Sequence, residues 1–215
     1  MNLLIFGPPG AGKGTQAELL VEQYGLFLID IGAILRSVAK TDTPIANELA
    51  ENMKNGRLNS DELVNNVIEE YLDKYNQWDN LLFDGYPRTL EQWSALHTLL
   101  TSRDKKIDAA IYLDISESEC ASRIETRVLS KSTGRIFNTR TVPPPTDWPQ
   151  EDLYSRNDGS EETLATRFQI FNQITKKLVD EYVKFGILVQ VDAFDTIANI
   201  HDQIVVKLKE RNLVE

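Results

Sequence analysis

The 215-residue sequence has one cysteine, Cys120, and two histidines, His97 and His201. A single thiol excludes a disulfide framework and a cysteine zinc site within one chain. The histidines are far apart, lack metal-ligand spacing, and read as surface or structural residues. No apolar run approaches the length of a membrane span. The apolar start at Leu3 is too short for a signal peptide and has no basic flank. Long basic runs are missing too: acids outnumber bases 33 to 23, a formal net charge of −10 at pH 7. That balance argues against nucleic-acid binding, although a few focused cations can still make a positive pocket on an acidic surface. Nor is there an internal repeat. The apolar content is ordinary, and the length suits one domain with insertions or two small ones. These absences lead to the expectation of a cytoplasmic protein with no membrane and no nucleic-acid partner.

The clearest positive signal is at the beginning. The apolar run Leu3–Phe6 reads as a buried strand. Gly7-Pro8-Pro9-Gly10-Ala11-Gly12-Lys13-Gly14-Thr15 follows as a glycine-rich turn, and Gln16–Glu22 reads as a helix. Glycines let a loop curl so that its N–H groups point inward, and a helix N-terminus adds positive dipole. Lys13 adds a full charge. Such a loop holds nucleotide phosphates. Against the pattern G-x-x-x-x-G-K-[ST], Gly14 stands where a hydroxyl residue is usual and Thr15 comes one place later. Direct metal ligation by the residue after the lysine is therefore not expected.

Four further runs look like short buried strands: Phe27–Ile29, Leu81–Phe83, Ala109–Leu113 and Ile187–Val191. Helix-like segments separate them, which predicts a five-stranded parallel sheet covered by helices on both faces. Ligands of such sheets bind beyond the carboxyl ends of the strands. Asp30, Asp84, Asp114 and Asp192 lie there, some of them as plain turn or helix-start residues. Two regions interrupt the alternation. Residues 31–59 read as helical, with no strand signal. Residues 127–156 are poor in apolar side chains and contain a turn at Ser132–Arg135 and the run Pro143-Pro144-Pro145. A stretch this long reads as a surface loop or as a lid, and arginines at its boundaries favour the lid. From Ser160 a helix start resumes, and a last helix covers about Thr196 to Glu210.

Leu81–Phe83 runs into Asp84-Gly85-Tyr86-Pro87-Arg88-Thr89. An acid at a strand end beside a phosphate loop suits magnesium, directly or through water. The plainer readings are a helix cap for Asp84 and a surface cation for Arg88. With the phosphate loop, this second motif resembles the adenylate kinase family, and the similarity spans essentially the whole chain.

The resemblance implies a P-loop three-layer α/β fold. Residues 1–30, 60–126 and 157–215 would form the core, 31–59 an NMP-binding insert and 127–156 a lid. It implies reversible transfer, ATP + AMP giving two ADP, with Mg2+ accompanying ATP and held at Asp84 through water. Catalytic positions would be Lys13, Arg88, Arg127, Arg156 and Arg167. ATP would meet Gly10, Ala11, Gly12, Lys13, Gly14, Thr15, Arg123, Arg127, Ile136, Phe137 and Asp195. AMP would meet Ile31, Arg36, Arg57, Leu58, Asn59, Gly85, Tyr86, Pro87, Arg88, Gln92, Arg156 and Arg167. The partners would be nucleotides alone, and the enzyme a monomer.

The chain departs from the family in two places. Asp30-Ile31-Gly32-Ala33 stands where Ser-Thr-Gly-Asp is usual. Ile31 cannot hydrogen-bond to a base, so a relaxed or non-AMP acceptor is an alternative, and apolar packing is the bland reading of Ile31. Residues 127–156 contain no cysteine or histidine, so no structural zinc is expected; Thr133, Asn138 and Asp147 are candidates for holding the lid instead. A regulatory ATP-binding protein is a further alternative, although it has no use for a second, arginine-lined nucleotide site.

Overall fold

The computed structural model describes residues 1–140, 142–155 and 160–215. A five-stranded parallel sheet forms its centre. The strands are β1 (Leu3–Phe6), β2 (Phe27–Asp30), β3 (Leu81–Asp84), β4 (Ala109–Asp114) and β8 (Leu188–Asp192), in the order β2-β3-β1-β4-β8. All five apolar runs are therefore strands, with ends within one residue of those expected. The central strand is covered on both faces, so all four of its residues are apolar and buried. Leu3 and Ile5 enter one core cluster, and Leu4 and Phe6 the other, as the two-residue period of a strand requires.

Helices α1 (Lys13–Tyr24), α6 (Glu117–Glu125) and α9 (Ile197–Glu210) cover the Leu3/Ile5 face. Helices α4 (Asp61–Tyr75), α5 (Leu90–Thr101) and α8 (Leu178–Lys184) cover the other. Helix α7 (Glu161–Gln173) contributes Leu164 and Phe168 to the first cluster and Phe171 to the second. Residues 31–59 form α2 (Ile31–Val38) and α3 (Pro44–Lys54). Among the described residues, no helix is long and apolar enough to cross a membrane.

The region from Arg127 contains strands that its composition does not announce. It holds a small antiparallel sheet of β5 (Arg127–Ser130), β6 (Ile136–Asn138) and β7 (Leu153–Tyr154), in the order β6-β5-β7. Leu129 and Phe137 make its buried centre. The expected turn joins β5 to β6, where the Ser130 N–H donates to the Arg135 carbonyl at 2.9 Å and Gly134 takes a φ of 73°.

Candidate active site

The loop after β1 turns back against its own sheet. A Cβ on Gly7 would stand 2.8 Å from the Leu113 carbonyl oxygen, and one on Gly10 2.6 Å from that of Cys120. Both positions require glycine for space, and Gly10 also for its φ of 88°. Helix α1 then starts at Gly12 with no side-chain cap. Helices α2, α4, α5, α6, α7 and α9 are each capped by a side chain, from Asp30, Ser60, Thr89, Ser116, Ser160 and Thr196. The first N–H groups of α1 are thus left for an anion. Lys13 extends over this loop, and its Nζ donates to the Gly7 and Pro8 carbonyls at 2.9 Å each.

A cavity of about 880 Å³ opens from the loop. Every residue expected around ATP lines it: Gly10 to Thr15, Arg123, Arg127, Ile136, Phe137 and Asp195. Of those expected around AMP, Arg36, Leu58, Gly85, Pro87, Arg88 and Arg167 line it, as does Asp84. Ile31, Arg57, Asn59, Tyr86 and Gln92 do not. Ile31 is 2% exposed and belongs to the core cluster with Leu35 and Phe83, which is the packing role. Arg156 lies outside the described residues.

The charges are set against one another. Burial lowers the pKa of Lys13 to about 8; Asp84 opposes the shift, and Arg88 and Arg167 add to it. Burial raises that of Asp84 to about 6, with Asp30 adding to the rise and Lys13, Arg88 and Arg36 opposing it. Arg88 opens onto the cleft at the level of its side chain, and the surrounding protein, then Arg167 and Arg36, hold its pKa below the ordinary arginine value. Several cations crowded into a partly desolvated site favour binding of an anion. Arg36 meets Asp30 at 3.7 Å, but both are well exposed, so that pair contributes little.

The family model described as Adenylate kinase matches residues 5–187. The chain belongs to the adenylate kinase family. It is 37% identical to the adenylate kinase of Archaeoglobus fulgidus over 208 residues, covering 95% of this chain and 96% of that one. It is 35% identical to that of Desulforamulus reducens over 213 residues, or 97% and 100%. The adenylate kinase of Methanosarcina barkeri is 34% identical over 213 residues, 98% and 99%.

In this kinase Arg123 is held at both ends of its guanidinium. Its Nε donates to Glu119 at 3.1 Å, and an NH2 group donates to the Ala193 carbonyl at 2.9 Å. Gln16, 1% exposed, donates from Nε2 to the Ile197 carbonyl at 2.9 Å. These bonds fix the β8–α9 loop, whose Phe194 is 68% exposed and lines the cavity. Sequence reasoning missed Gln16 and Phe194. Gln16 passes for an ordinary first-turn residue of α1, and an isolated phenylalanine in a loop carries no motif.

Gln92 is bonded at both ends of its amide. Its Oε1 accepts from the Arg88 N–H at 2.7 Å, and its Nε2 donates to Asp61 at 2.8 Å. Beside it, the Tyr86 hydroxyl donates to Asn65 at 2.7 Å. The small sheet is held by Asp152, with Ser130 and Thr133 around it: the Asp152 carboxylate accepts from Ser130 Oγ at 2.5 Å, Trp148 Nε1 at 2.9 Å and the Ser132 N–H at 2.8 Å. Asn138 donates to Thr126 at 2.8 Å. The carboxylate in this network belongs to Asp152, where the sequence suggested Asp147.

Proposed function

We propose that this enzyme transfers the terminal phosphoryl group of ATP to AMP, reversibly, giving two ADP without a covalent intermediate. One observation carries the reading: the uncapped start of α1 and Lys13 share a single cavity with Arg36, Arg88, Arg127 and Arg167. One nucleotide needs only the loop. The arginines that share the cavity suit a second phosphate group.

Phosphoryl transfer asks the protein for in-line positioning and for cations around spread negative charge. Lys13 and the α1 N–H groups would hold the donor phosphates, with Arg123 at the donor base. Arg36 and Arg88 would hold the acceptor phosphate, and Arg88, Arg127, Arg156 and Arg167 would surround the group in flight. Arginine suits these places because its planar fork offers two donors at once. The donor and acceptor contacts remain those expected from the family resemblance, including Gln92 at the acceptor base.

Asp84 lines the cavity beside Lys13 and Gly14. Among the described residues, no group of three or more acids, histidines or cysteines is placed to hold a metal. One carboxylate fits Mg2+, which keeps several waters and takes other ligands from phosphates. When bound, Mg2+ neutralises charge on the phosphates. Asp84 would orient its waters, and Ile136 and Phe137 would exclude bulk water from the donor side. Residues 31–59 would serve as the acceptor insert and 127–156 as the lid, on a core of 1–30, 60–126 and 157–215. The single cysteine fits a reducing, cytoplasmic setting, and the proposed reaction would place the enzyme in nucleotide biosynthesis. We infer a monomer, which light scattering would test.

A coupled assay for ADP formation, run with and without AMP, tests the reaction. ADP formation that depends on AMP is expected. Phosphate release independent of AMP would refute the reading and indicate a hydrolase.

A further inference from the structure

We propose that Asp61 is a positioning residue for phosphoryl transfer, acting on Arg88 through the side chain of Gln92. The proposal rests on the reading of Arg88 as a group that touches the transferring phosphate. Asp61 opens α4, one residue beyond the 31–59 segment, and it does not line the cavity. Its Oδ1 accepts from Gln92 Nε2 at 2.8 Å and from Thr89 Oγ1 at 3.0 Å.

A carboxylate only accepts hydrogen bonds, so the Gln92 amide must turn its NH2 toward Asp61 and its oxygen away. That oxygen is the acceptor for the Arg88 N–H at 2.7 Å. The opposite amide orientation would set two donors against each other at Arg88 and two acceptors against each other at Asp61. Gln92 is 2% exposed and Thr89 7%, so water cannot readily replace either bond. The Arg88 side chain is tethered separately, by its Nε donating to the Gly85 carbonyl at 2.7 Å. Arg88 is thus held at its main chain by Gln92 and at its guanidinium by Gly85. Asp61 sets the first of these holds.

Because Thr89 and Gln92 donate to the same oxygen of Asp61, an asparagine can keep both bonds, whereas an alanine keeps neither. The test is a double-mutant cycle on purified enzyme, with kcat, KM for each nucleotide and melting temperature measured for Asp61→Ala, Asp61→Asn, Arg88→Ala and Asp61→Ala/Arg88→Ala. Asp61→Ala is expected to lower kcat by about ten- to a hundredfold, with KM for ATP within about twofold. Asp61→Asn should remain within about threefold of the parent. In the Arg88→Ala background, adding Asp61→Ala should change kcat by less than about twofold, because the group being positioned is gone. Should Asp61→Ala melt below the assay temperature, Asp61→Ser, with a good helix-start side chain too short to reach Gln92, takes its place in the cycle. Multiplying losses in the double variant, or an Asp61→Asn enzyme as slow as Asp61→Ala, would overturn the positioning role while leaving that of Arg88 intact. An Arg88→Ala enzyme with parental kcat would overturn the reading of Arg88 itself.

Discussion

Ile136 Cδ1 lies 3.7 Å from the point that a Cβ on Gly14 would occupy, which places strand β6 directly over the phosphate loop. Asp84 Oδ2 lies at the same distance from that point. One methyl group fits there in ordinary van der Waals contact, and a branched side chain does not. Gly14→Ala should therefore fold and keep kcat within about threefold, while Gly14→Val should lose at least about tenfold by displacing Ile136 and Asp84. Gly10→Ala provides the contrast. Its new methyl would meet the Cys120 carbonyl at 2.6 Å with φ at 88°, so both melting temperature and kcat should fall sharply. A Gly14→Val enzyme with parental kinetics would show that Ile136 does not occupy this position during turnover.

Ile31 lies in the core, and Ile31 Cγ2 is 3.3 Å from where a Cβ on Gly85 would stand. The side chain packs in the core beside Gly85, so we expect it to take no direct part in acceptor choice. Ile31→Thr replaces a buried ethyl arm with a hydroxyl and keeps the other methyl. A loss of about 1–3 kcal/mol is expected, or roughly 3–10 °C in melting temperature for a chain of this size. Acceptor preference, measured as kcat/KM for AMP against GMP, CMP and UMP, should move less than about twofold. A large shift in that ratio with no change in melting temperature would return Ile31 to the acceptor site.

How much of this could be read from the chain depended on how far apart the cooperating residues lie. The strands of the main sheet were legible because burial on both faces makes each one a continuous apolar run, as in Leu81-Leu82-Phe83. The phosphate loop was legible because its glycines and Lys13 are consecutive. The small sheet was not, since β6 and β7 are only three and two residues long and β7 pairs with a strand more than twenty positions earlier. Asp61 was missed for a related reason: an acid in the first turn of an amphipathic helix looks like a dipole partner. Only the fold brings α5, with Thr89 and Gln92, against it.

Asp152 draws the small sheet together through Ser130, Ser132 and Trp148, and Trp148 packs edge-on against Phe137 with ring centres 5.0 Å apart. The Ser130 hydroxyl, ahead of Trp148 and the Ser132 N–H, holds the Asp152 carboxyl down at about 2. It therefore stays ionised through the working pH range. Asp152→Ala should loosen residues 127–155 without unfolding the main sheet. Faster proteolytic cleavage within that segment and a raised KM for ATP are expected, with little change in global melting temperature. Because this network would take the place of a metal, elemental measurement should find no stoichiometric zinc, and a chelator should leave melting unchanged. Equal protease resistance in the variant would show that Asp152 does not hold the segment.

Lys13 and Asp84 titrate toward each other, Lys13 near 8 and Asp84 near 6. Asp84 loses its charge as pH falls through about 6, and Lys13 loses its own as pH rises through about 8. If both charges serve the reaction, kcat/KM should follow a bell with limbs near those values. Bound phosphates favour the ammonium form, so the alkaline limb of kcat should lie at higher pH than that of kcat/KM. Lys13→Arg separates the assignments. A guanidinium stays protonated throughout this range, so the variant, although slower, should lose the alkaline limb and keep the acid one. An alkaline limb persisting near pH 8 in Lys13→Arg would assign it to a group other than Lys13.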